Sequence, residues 1–265
     1  MNRQLLVVVI LPTYNESGNI IRILDAISQQ QKKLKKILLQ ILIVDDRSPD
    51  GTAALVRQYA AKHSNIYLLT GDKRGLGVAY IRGFTYALKK LHADIVFEMD
   101  ADFSHNPNDI PRFIKQIQSG SDFVIGSRYI KGGSIPQDWS YWRVLNSKIG
   151  NIFARRIAGM MNIYDCTSGF RAINTNVFKN LNLSRLNAAG YAFQINLLYE
   201  IIKSGYKVTE IPIHFSNRQV GNSKLQIYDI IEFFKNTFSI RIMKIREKLK
   251  SEKKDFSFVT EKQTI

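Results

Sequence analysis

Two aspartates separated by a single residue are the feature of this sequence best suited to chemistry. Asp100 and Asp102 come directly after an apolar segment, in the order MDADFSH. Carboxylates placed this way can bind a hard divalent cation such as Mg²⁺, which takes oxygen ligands and completes its shell with water and phosphates. Such a cation neutralises the charge that develops on a departing diphosphate. The pattern therefore predicts a metal-assisted reaction of a diphosphate.

The alternative is that these aspartates only form a turn, because Asp is common after strands. A second acidic pair, Asp45 and Asp46, ends another apolar segment, which favours one shared site. Ser104 and His105 lie just beyond the first pair and could complete the metal shell. The loop position of His105 favours an ordinary loop residue instead.

Strands and helices alternate in the part of the chain that must position these acids. Continuous apolar runs predict buried strands at residues 5–11, 37–44, 66–69, 95–99 and 122–125. Helical spacing predicts helices between them, at residues 20–30, 52–62, 78–90 and 107–119. This alternation is typical of a doubly wound α/β sheet, in which ligands bind at the carboxyl ends of the strands. The segments PTYNE, DD, DAD and GSR all follow strands, so one site is predicted there.

The second half of the chain has a different pattern. It predicts helices at residues 142–161, 175–181 and 193–204, then a strand at 207–212 and a helical region at 226–250. The segment SGFRA supplies small residues before a potential helix, where backbone N–H groups can bind an anion. Its Arg171 either contacts a ligand or supports the loop. Gly75 and Gly77 favour a tight turn, because the full GxGxxG pattern is absent.

The composition is strongly basic. The 265 residues include 38 Lys and Arg against 22 Asp and Glu, a formal net charge of +16. Such an excess favours nucleic acid, nucleotide phosphates or an anionic membrane as a partner, although ordinary solvated surface is an alternative. We expect no nucleic-acid partner, because no nucleic-acid-binding motif is found. The single cysteine, Cys166, excludes an intrachain disulfide.

The sequence predicts a protein that is either soluble or bound to a membrane from one side. The apolar start runs straight into PTYNE rather than into a signal-peptide cleavage site, and no apolar run reaches the ~18 residues of a membrane-spanning helix. Residues 225–245 combine apolar and basic side chains. A helix of this kind lies in the lipid interface, packs on the domain or binds a membrane-protein partner.

Several motifs together resemble glycosyltransferase family 2. They are PTYNE at 12–16, VDDRSPDGT at 44–52, GLGVAYIRG at 75–83, MDADFSHNP at 99–107, GSRY at 126–129 and SGFRA at 168–172. The match covers nearly the whole chain and, with NRQVGNSKL, is closest to the dolichyl-phosphate (polyprenyl-phosphate) mannosyltransferases. The chain departs from that pattern at Arg47, where relatives often have Gly or Asp. It also lacks the C-terminal transmembrane helices of many microbial members, which leaves its mode of membrane attachment open.

The resemblance implies a Rossmann-like nucleotide-diphospho-sugar transferase (GT-A type) fold with a mostly parallel sheet. It implies one catalytic domain at residues 1–240, with a nucleotide-sugar half at 1–130 and an acceptor half at 131–240, followed by a basic tail at 241–265. The implied reaction is inverting transfer of mannose from GDP-mannose to dolichyl or polyprenyl phosphate, with Mg²⁺ or Mn²⁺. The implied location is the cytoplasmic face of a membrane, reached directly or through a small membrane-protein partner.

Two other functions remain open. A family 2 transferase could instead move glucose or GlcNAc from a UDP-sugar to a lipid phosphate or a polysaccharide. A non-catalytic nucleotide-binding module is an alternative of another class, against which the acidic pair at a strand end argues.

The resemblance also implies a set of donor-binding residues. The nucleoside would be held by residues of the first two strand ends: Pro12, Tyr14, Glu16, Val44 and Asp46. The metal and diphosphate would be held by Asp100, Ala101 and Asp102, with Ser104 as a further metal ligand.

Basic residues complete the implied site. Cations near the phosphates would be Arg128, Arg218 and Lys224, which with Asp102 form the expected catalytic set. Arg143 and Ser147 would hold the acceptor phosphate. A phosphate monoester is largely dianionic at neutral pH, because its second pKa is about 6, so the reaction needs no general base. It does need cations to hold two anions together.

Overall fold

The structure, a computed structural model, describes residues 3–183, 186, 190–218, 233–235 and 237–242. The strands are β1 (Leu5–Thr13), β2 (Ile37–Asp45), β3 (Ile66–Thr70), β4 (Ile95–Glu98), β5 (Phe123–Ser127), β6 (Arg171–Asn174) and β7 (Val208–Pro212). The helices are α1 (Ile20–Gln30), α2 (Thr52–Ala60), α3 (Leu76–Tyr86), α4 (Ile110–Gln118), α5 (Tyr141–Ile157) and α6 (Gly190–Lys203).

The strands described form one sheet in the order β3-β2-β1-β4-β6-β5-β7. Strand β1 pairs in parallel with both β2 and β4, and β2 pairs in parallel with β3. Strand β6 is antiparallel to β4 and β5, so β5 again runs in the direction of β4, and β7 is parallel to β5. The predicted α/β fold with a mostly parallel sheet is confirmed. The carboxyl ends of β1, β2, β4 and β5 therefore lie along one edge.

Helices cover both faces of this sheet. Side chains of β1 alternate between the faces, so Val9 belongs to one core and Val8 to the other. The Val9 side packs against α1 and α4, including Phe113, and the Val8 side packs against α3 and α6, including Phe84 and Phe193. Burial on both faces explains why the strands are continuous apolar runs rather than alternating ones.

Strand β6 was not predicted. The sequence analysis assigned SGFRA to a loop before a helix, whereas Arg171–Asn174 fills the gap between β4 and β5 and bonds to both. A four-residue strand is too short for its periodicity to be recognised. The helix predicted at 175–181 is instead a 3₁₀ helix, Thr175–Lys179, where the side chain of Asn174 accepts the N–H of Asn176.

Gly75 has the role that its sequence context predicts. It begins the turn into α3 with φ of 100°, a region in which a residue with a side chain is strained.

Most of the predicted C-terminal helix, residues 226–250, lies outside the described residues. Its described parts, 233–235 and 237–242, are helical. Phe233 and Ile240 are buried, and the ring of Phe234 lies 4.7 Å from that of Phe153 in α5, whereas Phe238 is exposed. This segment therefore packs on the domain through one face. No helix in the described ranges has the length and hydropathy to cross a bilayer.

Candidate active site

The acidic pair lies where β4 ends, at the edge of the sheet predicted to bind ligands. Asp102 accepts the backbone N–H of Ser104 at 3.0 Å through its Oδ1, and the intervening Phe103 adopts a left-handed φ of 64°. The Oγ of Ser104 is buried and has no hydrogen-bond partner among the described residues. The turn after β4 therefore contains three side chains whose oxygens could bind a metal, those of Asp100, Asp102 and Ser104.

Electrostatic repulsion acts within this pair. The pKa of Asp100 is raised to about 7, first by desolvation and then by the charge of Asp102, while Glu16 raises it further and Arg218 lowers it. The Asp100 side chain is nevertheless 35% exposed, against 6% for Asp102. A cation bound between the two carboxylates would relieve their repulsion and reverse the shift.

The donor set fits a hard divalent cation. Carboxylate and hydroxyl oxygens are the ligands that Mg²⁺ and Mn²⁺ accept, and the unpartnered Ser104 Oγ gives such an ion a further contact. The part of the chain that the structure describes contains no group of three or more His, Cys, Asp or Glu suited to a metal. The two aspartates would therefore hold an ion that takes its remaining ligands from water and substrate phosphates.

His105 is a buried residue that supports the acidic turn. Its Nδ1 accepts the backbone N–H of Asp100 at 3.1 Å, and its ring stacks on Phe170 with the centroids 5.0 Å apart. Burial is the main cause that lowers its pKa to about 4, so the ring is neutral at pH 7. Interpreting it as an ordinary loop residue misses this role.

The residues predicted to hold the nucleoside gather at the ends of β1 and β2. Pro12 lies opposite Val44 in the parallel register. The Nζ of Lys73 lies over the ring of Tyr14, 3.6 Å from the ring centroid. Lys73 therefore lies over a residue predicted to hold the nucleoside.

Asp46 is held by an arginine that the sequence analysis did not select. Arg82 of α3 donates to its Oδ1 through Nη2 at 2.5 Å. The backbone N–H of Asp46 donates to the carbonyl of Thr13 at 3.0 Å, which fixes the residue at the strand edge. Burial raises the pKa of Asp46, an effect that Arg82 opposes by hydrogen bonding and charge.

Arg218 lies beside the acidic pair. Its Nε is 2.8 Å from Oδ2 of Asp102, and the N–H of Ser216 donates to the carbonyl of Ser104 at 3.1 Å. Residues 216–218 therefore bring a predicted phosphate-binding cation to the acidic pair. Lys224, another cation predicted to lie near the phosphates, is outside the described residues, so its role stays a prediction.

Arg128 makes a bidentate ion pair inside the protein. Its Nε and Nη2 each lie 2.7 Å from an oxygen of Asp165, and Nη2 also donates to Thr167 at 2.9 Å. Burial would raise the pKa of Asp165, but the charge and hydrogen bonds of Arg128 outweigh it and the net pKa is lowered. Contact between Arg128 and a substrate phosphate remains a prediction.

Phe215 connects the acidic site to the predicted acceptor residues. Its ring centroid lies 5.5 Å from His105 and 5.7 Å from Trp139, and the guanidinium of Arg128 lies 5.3 Å away. The guanidinium of Arg143 in turn lies over the Trp139 ring, 3.9 Å from the ring centroid. Phe215 and Trp139 were not selected from the sequence, because aromatic residues in loops give no distinct signal.

Arg143 and Ser147 lie one turn apart on α5 and so share a face. Ser147 forms a hydrogen bond of 2.6 Å with the hydroxyl of Tyr129, and its carbonyl accepts from Asn151 at 3.0 Å. Asn151 also donates to Thr167 at 3.1 Å, the residue bonded to Arg128. Hydrogen bonds thereby connect Ser147, predicted to hold the acceptor phosphate, with Arg128, predicted to lie near the phosphates. Contact of either residue with a substrate stays a prediction.

Arg171 has a structural role. Its side chain is fully buried and donates to the carbonyls of Gln194 at 2.9 Å and Cys166 at 2.8 Å. Its Nε lies 3.7 Å from Glu98, its register partner in β4. Of the two alternatives left by the sequence, the structure favours support of the loop.

Comparison with known proteins agrees with the resemblance. The family model for glycosyl transferase family 2 matches residues 8–181. The chain is 38% identical over 226 residues to polyprenol monophosphomannose synthase from Mycolicibacterium smegmatis, covering 84% of this chain and 82% of that protein. It is 37% identical over 239 residues to dolichol-phosphate mannosyltransferase from Pyrococcus furiosus, covering 89% of this chain and 63% of that protein.

Solved structures share the fold. Mannosyl-3-phosphoglycerate synthase from Rubrobacter xylanophilus has a TM-score of 0.63 at 20% identity, covering 93% of this chain and 75% of that one. A mannosyltransferase from Pyrobaculum calidifontis in complex with GDP-Man and Mn²⁺ has a TM-score of 0.51 at 21% identity. The match covers 78% of this chain and 54% of that one.

The sheet order and the solved structures that share it show a GT-A type fold, which here carries an acidic pair at the carboxyl end of β4. Because the family model matches more than half of its length, the chain belongs to glycosyl transferase family 2. The protein is an enzyme of that family and is similar to polyprenol- and dolichol-phosphate mannosyltransferases.

Proposed function

We propose that this enzyme transfers mannose from GDP-mannose to dolichyl or polyprenyl phosphate, with inversion, at the cytoplasmic surface of a membrane. The mannosyl and polyprenyl assignments rest on two relatives at 37–38% identity that are named for that chemistry. The observation that carries the mechanism is the placement of Asp100 and Asp102 beside Arg218 at the end of β4.

Donor binding follows from this placement. Asp100 and Asp102, with Ser104, would hold Mg²⁺ or Mn²⁺ against the donor diphosphate. The bound ion would neutralise the charge that grows on the departing GDP. Arg218 already lies 2.8 Å from Asp102, so its guanidinium can reach a phosphate at the same place and grip it as a planar fork.

The acceptor supplies its own nucleophile. At neutral pH a lipid-linked phosphate monoester is largely dianionic, so one of its oxygens forms the new bond to the anomeric carbon without first losing a proton. The bond from that carbon to the GDP oxygen breaks, and the electron pair leaves with GDP. Arg143 and Ser147 of α5 would orient the acceptor phosphate, which makes orientation and charge stabilisation the main sources of rate.

The exposed face of α5 supports a membrane-bound acceptor. Trp142, Ile149 and Ile152 share one stripe of the helix and are 70%, 45% and 47% exposed, whereas Asn151 is buried. The inner face of α5 also contributes the buried Ala154 to the core, so the helix has apolar side chains on its outer face as well as on its inner one, unlike an ordinary surface helix. Arg155 and Arg156 add basic charge to its last turn, which suits an anionic lipid surface.

The test is transfer of radiolabelled mannose from GDP-mannose to a short polyprenyl phosphate, with and without Mn²⁺ or Mg²⁺. We expect a lipid-extractable product that requires the metal. The Asp102→Ala variant should form none.

Other donors define the outcomes that would contradict the proposal. Product from UDP-glucose or UDP-GlcNAc, and none from GDP-mannose, would remove the mannosyl assignment while leaving the transferase class intact. Nucleotide binding without turnover for any of these donors would favour a non-catalytic module.

A further inference from the structure

The segment that brings Arg218 to the acidic pair is attached to the loop after β5. The N–H of Ser134 in that loop donates to the carbonyl of Ile213 at 3.0 Å, and the N–H of Phe215 donates to the carbonyl of Ser134 at 3.0 Å. The side chains of Ser134 and His214 are also hydrogen-bonded, at 2.8 Å. The start of the segment therefore follows the loop in a parallel bridge, so its position depends on that of the loop.

That loop is itself fixed against the end of its strand. A Cβ added to Gly133 would lie 2.6 Å from the carbonyl oxygen of Ser127 and 2.9 Å from the carbonyl carbon of Arg128. A side chain does not fit so close to backbone atoms, so glycine is what allows the loop to pass there. The N–H of Gly133 also donates to the carbonyl of Ile130 at 2.9 Å. The loop is therefore a firm support for the residues that it presents, among them Trp139.

A second attachment lies one residue before Arg218. The indole N–H of Trp139 donates to Oδ1 of Asn217 at 3.0 Å, and Nδ2 of Asn217 donates to the two carboxylate oxygens of Asp138 at 2.7 and 2.6 Å. The amide oxygen faces a donor and the amide nitrogen faces an acceptor, so both partners fix the orientation of the side chain. The Nε of Arg218 lies 2.8 Å from Oδ2 of Asp102. Because Arg218 is the next residue, the hydrogen bonds of Asn217 restrict where this guanidinium can lie.

The same indole contacts a second arginine through its face. The guanidinium of Arg143 lies over the Trp139 ring, 3.9 Å from the centroid, where the electron density of the ring attracts a cation. The ring of Phe215 meets the indole edge to face, with the centroids 5.7 Å apart. One side chain therefore contacts the segment that carries Arg218 with its N–H and the guanidinium of Arg143 with its face.

Packing alone does not account for a tryptophan at this position. A phenylalanine would fill the space beside Phe215, but it has no N–H for Asn217. A leucine would fill much of the same space, but it has neither the N–H nor an aromatic face for Arg143. Substitution can therefore separate the two contacts.

We propose that Trp139 is a positioning residue shared by two predicted phosphate-binding arginines. Its indole N–H positions Arg218 through Asn217, and its ring positions Arg143. This inference rests on the proposed function for the identity of the two ligands, a nucleotide diphosphate at Arg218 and a lipid phosphate at Arg143.

The experiment is calorimetric titration of the full chain in Mn²⁺ with a nucleotide and, separately, with farnesyl phosphate, a short soluble prenyl phosphate. GDP and UDP are compared first, and the one that the wild type binds more tightly is the nucleotide used for the variants. Neither titration involves sugar transfer, so both affinities are measured without turnover.

Two substitutions of Trp139 should give different patterns. Trp139→Phe removes the N–H but keeps an aromatic face. It should weaken nucleotide binding about fivefold, as for the loss of one hydrogen bond, and change farnesyl phosphate binding by less than about twofold. Trp139→Leu keeps apolar volume but removes both contacts, so it should weaken binding of both ligands about fivefold.

Asn217→Ala removes the same hydrogen bond from the other side. It should weaken nucleotide binding at least as much as Trp139→Phe and leave farnesyl phosphate binding within about twofold of the wild type. The double variant Trp139→Phe/Asn217→Ala should bind the nucleotide no more weakly than Asn217→Ala, because both changes act on one contact.

Tyr206→Phe is the matched control. It also removes a hydrogen bond of 3.0 Å between an aromatic side chain and an asparagine, Asn180. Tyr206 precedes β7 and so lies near the amino end of that strand, away from the acidic pair. Both affinities should be those of the wild type.

The outcomes separate this inference from the proposed function. Wild-type nucleotide affinity in Trp139→Phe, or an equal loss for farnesyl phosphate, would overturn the role of the N–H. Wild-type farnesyl phosphate affinity in Trp139→Leu would overturn the role of the ring. The expected pattern with UDP as the tighter ligand would uphold the inference and remove GDP-mannose as the donor. The same pattern without any mannosyl transfer would uphold it and contradict the proposed reaction.

Discussion

The edge of the sheet that carries the acidic residues and the outer face of α5 differ in which side chains they shelter from solvent. At the sheet edge, charged groups are sheltered and paired with one another, as Asp46 is with Arg82 and Asp102 with Arg218. On α5, Asn151 is buried, and Trp142 is 70% exposed. Under the proposed function, the first region would hold a polyanionic ligand away from water, and the second would offer apolar surface to a membrane.

Under the proposed function, this difference fits a site between water and lipid. A nucleotide-sugar donor would arrive from water, whereas the tail of a polyprenyl phosphate would stay in lipid. Phe215 and Trp139 lie between the two regions, in contact with His105 and with the guanidinium of Arg143. The reacting phosphates would meet there, with the sugar donor on one side and the lipid on the other.

Of the variants considered, Asp102→Asn should cause the largest loss of activity, because it alters the acidic pair at the sheet edge. It keeps the shape of the side chain but removes a charge needed by both the metal and Arg218. We expect kcat to fall by about a thousandfold, as for the loss of a major electrostatic contact in an active site. The measurement is mannosyl transfer at saturating GDP-mannose and Mn²⁺.

The control for that variant is Asp109→Asn. Asp109 pairs with Arg112 at 2.6 Å at the start of α4, and its loss should leave kcat within about twofold. Retention of wild-type turnover in Asp102→Asn would refute the assignment of the acidic pair.

Asp165→Asn tests the buried ion pair with Arg128, which lies between the two regions. The change leaves the charge of Arg128 buried without its counter-ion, which costs about 3 kcal/mol or more of folding free energy. Urea unfolding at pH 7 measures this. Asp72→Asn, which breaks the exposed pair with Arg47, should change the unfolding free energy by about 1 kcal/mol or less.

The effect of Asp165 should also depend on pH. Its folded-state pKa lies below the ordinary value, so the stabilisation is present above about pH 4 and is lost as the pH falls through the lowered pKa. The stability difference between wild type and Asp165→Asn should therefore narrow at acid pH. A difference that stays constant down to pH 2 would contradict the role of the ion pair.

Much of the fold could be predicted because its strands are long apolar runs buried on both faces. The acidic residues were also predictable, since they follow those runs directly and parallel strands end at one edge. The resemblance to the family then implied which acids would bind a metal, and that assignment stays a prediction. Strand β6 was missed because it has only four residues, Arg171–Asn174, and takes its stability from two neighbouring strands.

The side-chain pairs could not be predicted because they join distant parts of the chain. Arg128 and Asp165 are 37 residues apart, and Arg82 and Asp46 are 36 apart. From the sequence alone, each arginine would be interpreted as a surface cation or a phosphate ligand. Only the packing of α3 on β2, or of the 165–168 loop on β5, decides which carboxylate it meets.

Trp142→Ser tests the apolar region. Losing the lipid contact of a tryptophan should weaken binding to vesicles by about tenfold or more, given about 25 cal/mol for each Å² of apolar surface. Folding stability should change by only about 0.5 kcal/mol, because the side chain is exposed. Co-sedimentation with vesicles of phosphatidylglycerol and phosphatidylcholine measures the binding.

Leu38→Ser is the matched control for this change. Leu38 is 42% exposed but lies on β2, away from α5, so its replacement should leave vesicle binding unchanged. Equal losses in both variants would indicate a non-specific effect of surface hydrophobicity. An unchanged Trp142→Ser variant would remove α5 from the membrane contact.

Ser147→Ala should have the smallest effect and sharpens the comparison most, because Ser147 lies on the helix that joins the two regions. If its hydroxyl holds the acceptor phosphate, losing it should raise the KM for polyprenyl phosphate about fivefold, in line with one hydrogen bond to a charged group. The kcat at saturating acceptor should change little. Tyr129→Phe removes the same 2.6 Å hydrogen bond but leaves the Ser147 hydroxyl in place, so it should shift KM by less than about twofold. If the two variants instead raise KM equally, the hydroxyl acts by fixing α5 against the end of β5, and the acceptor phosphate must be held by Arg143 or by other cations.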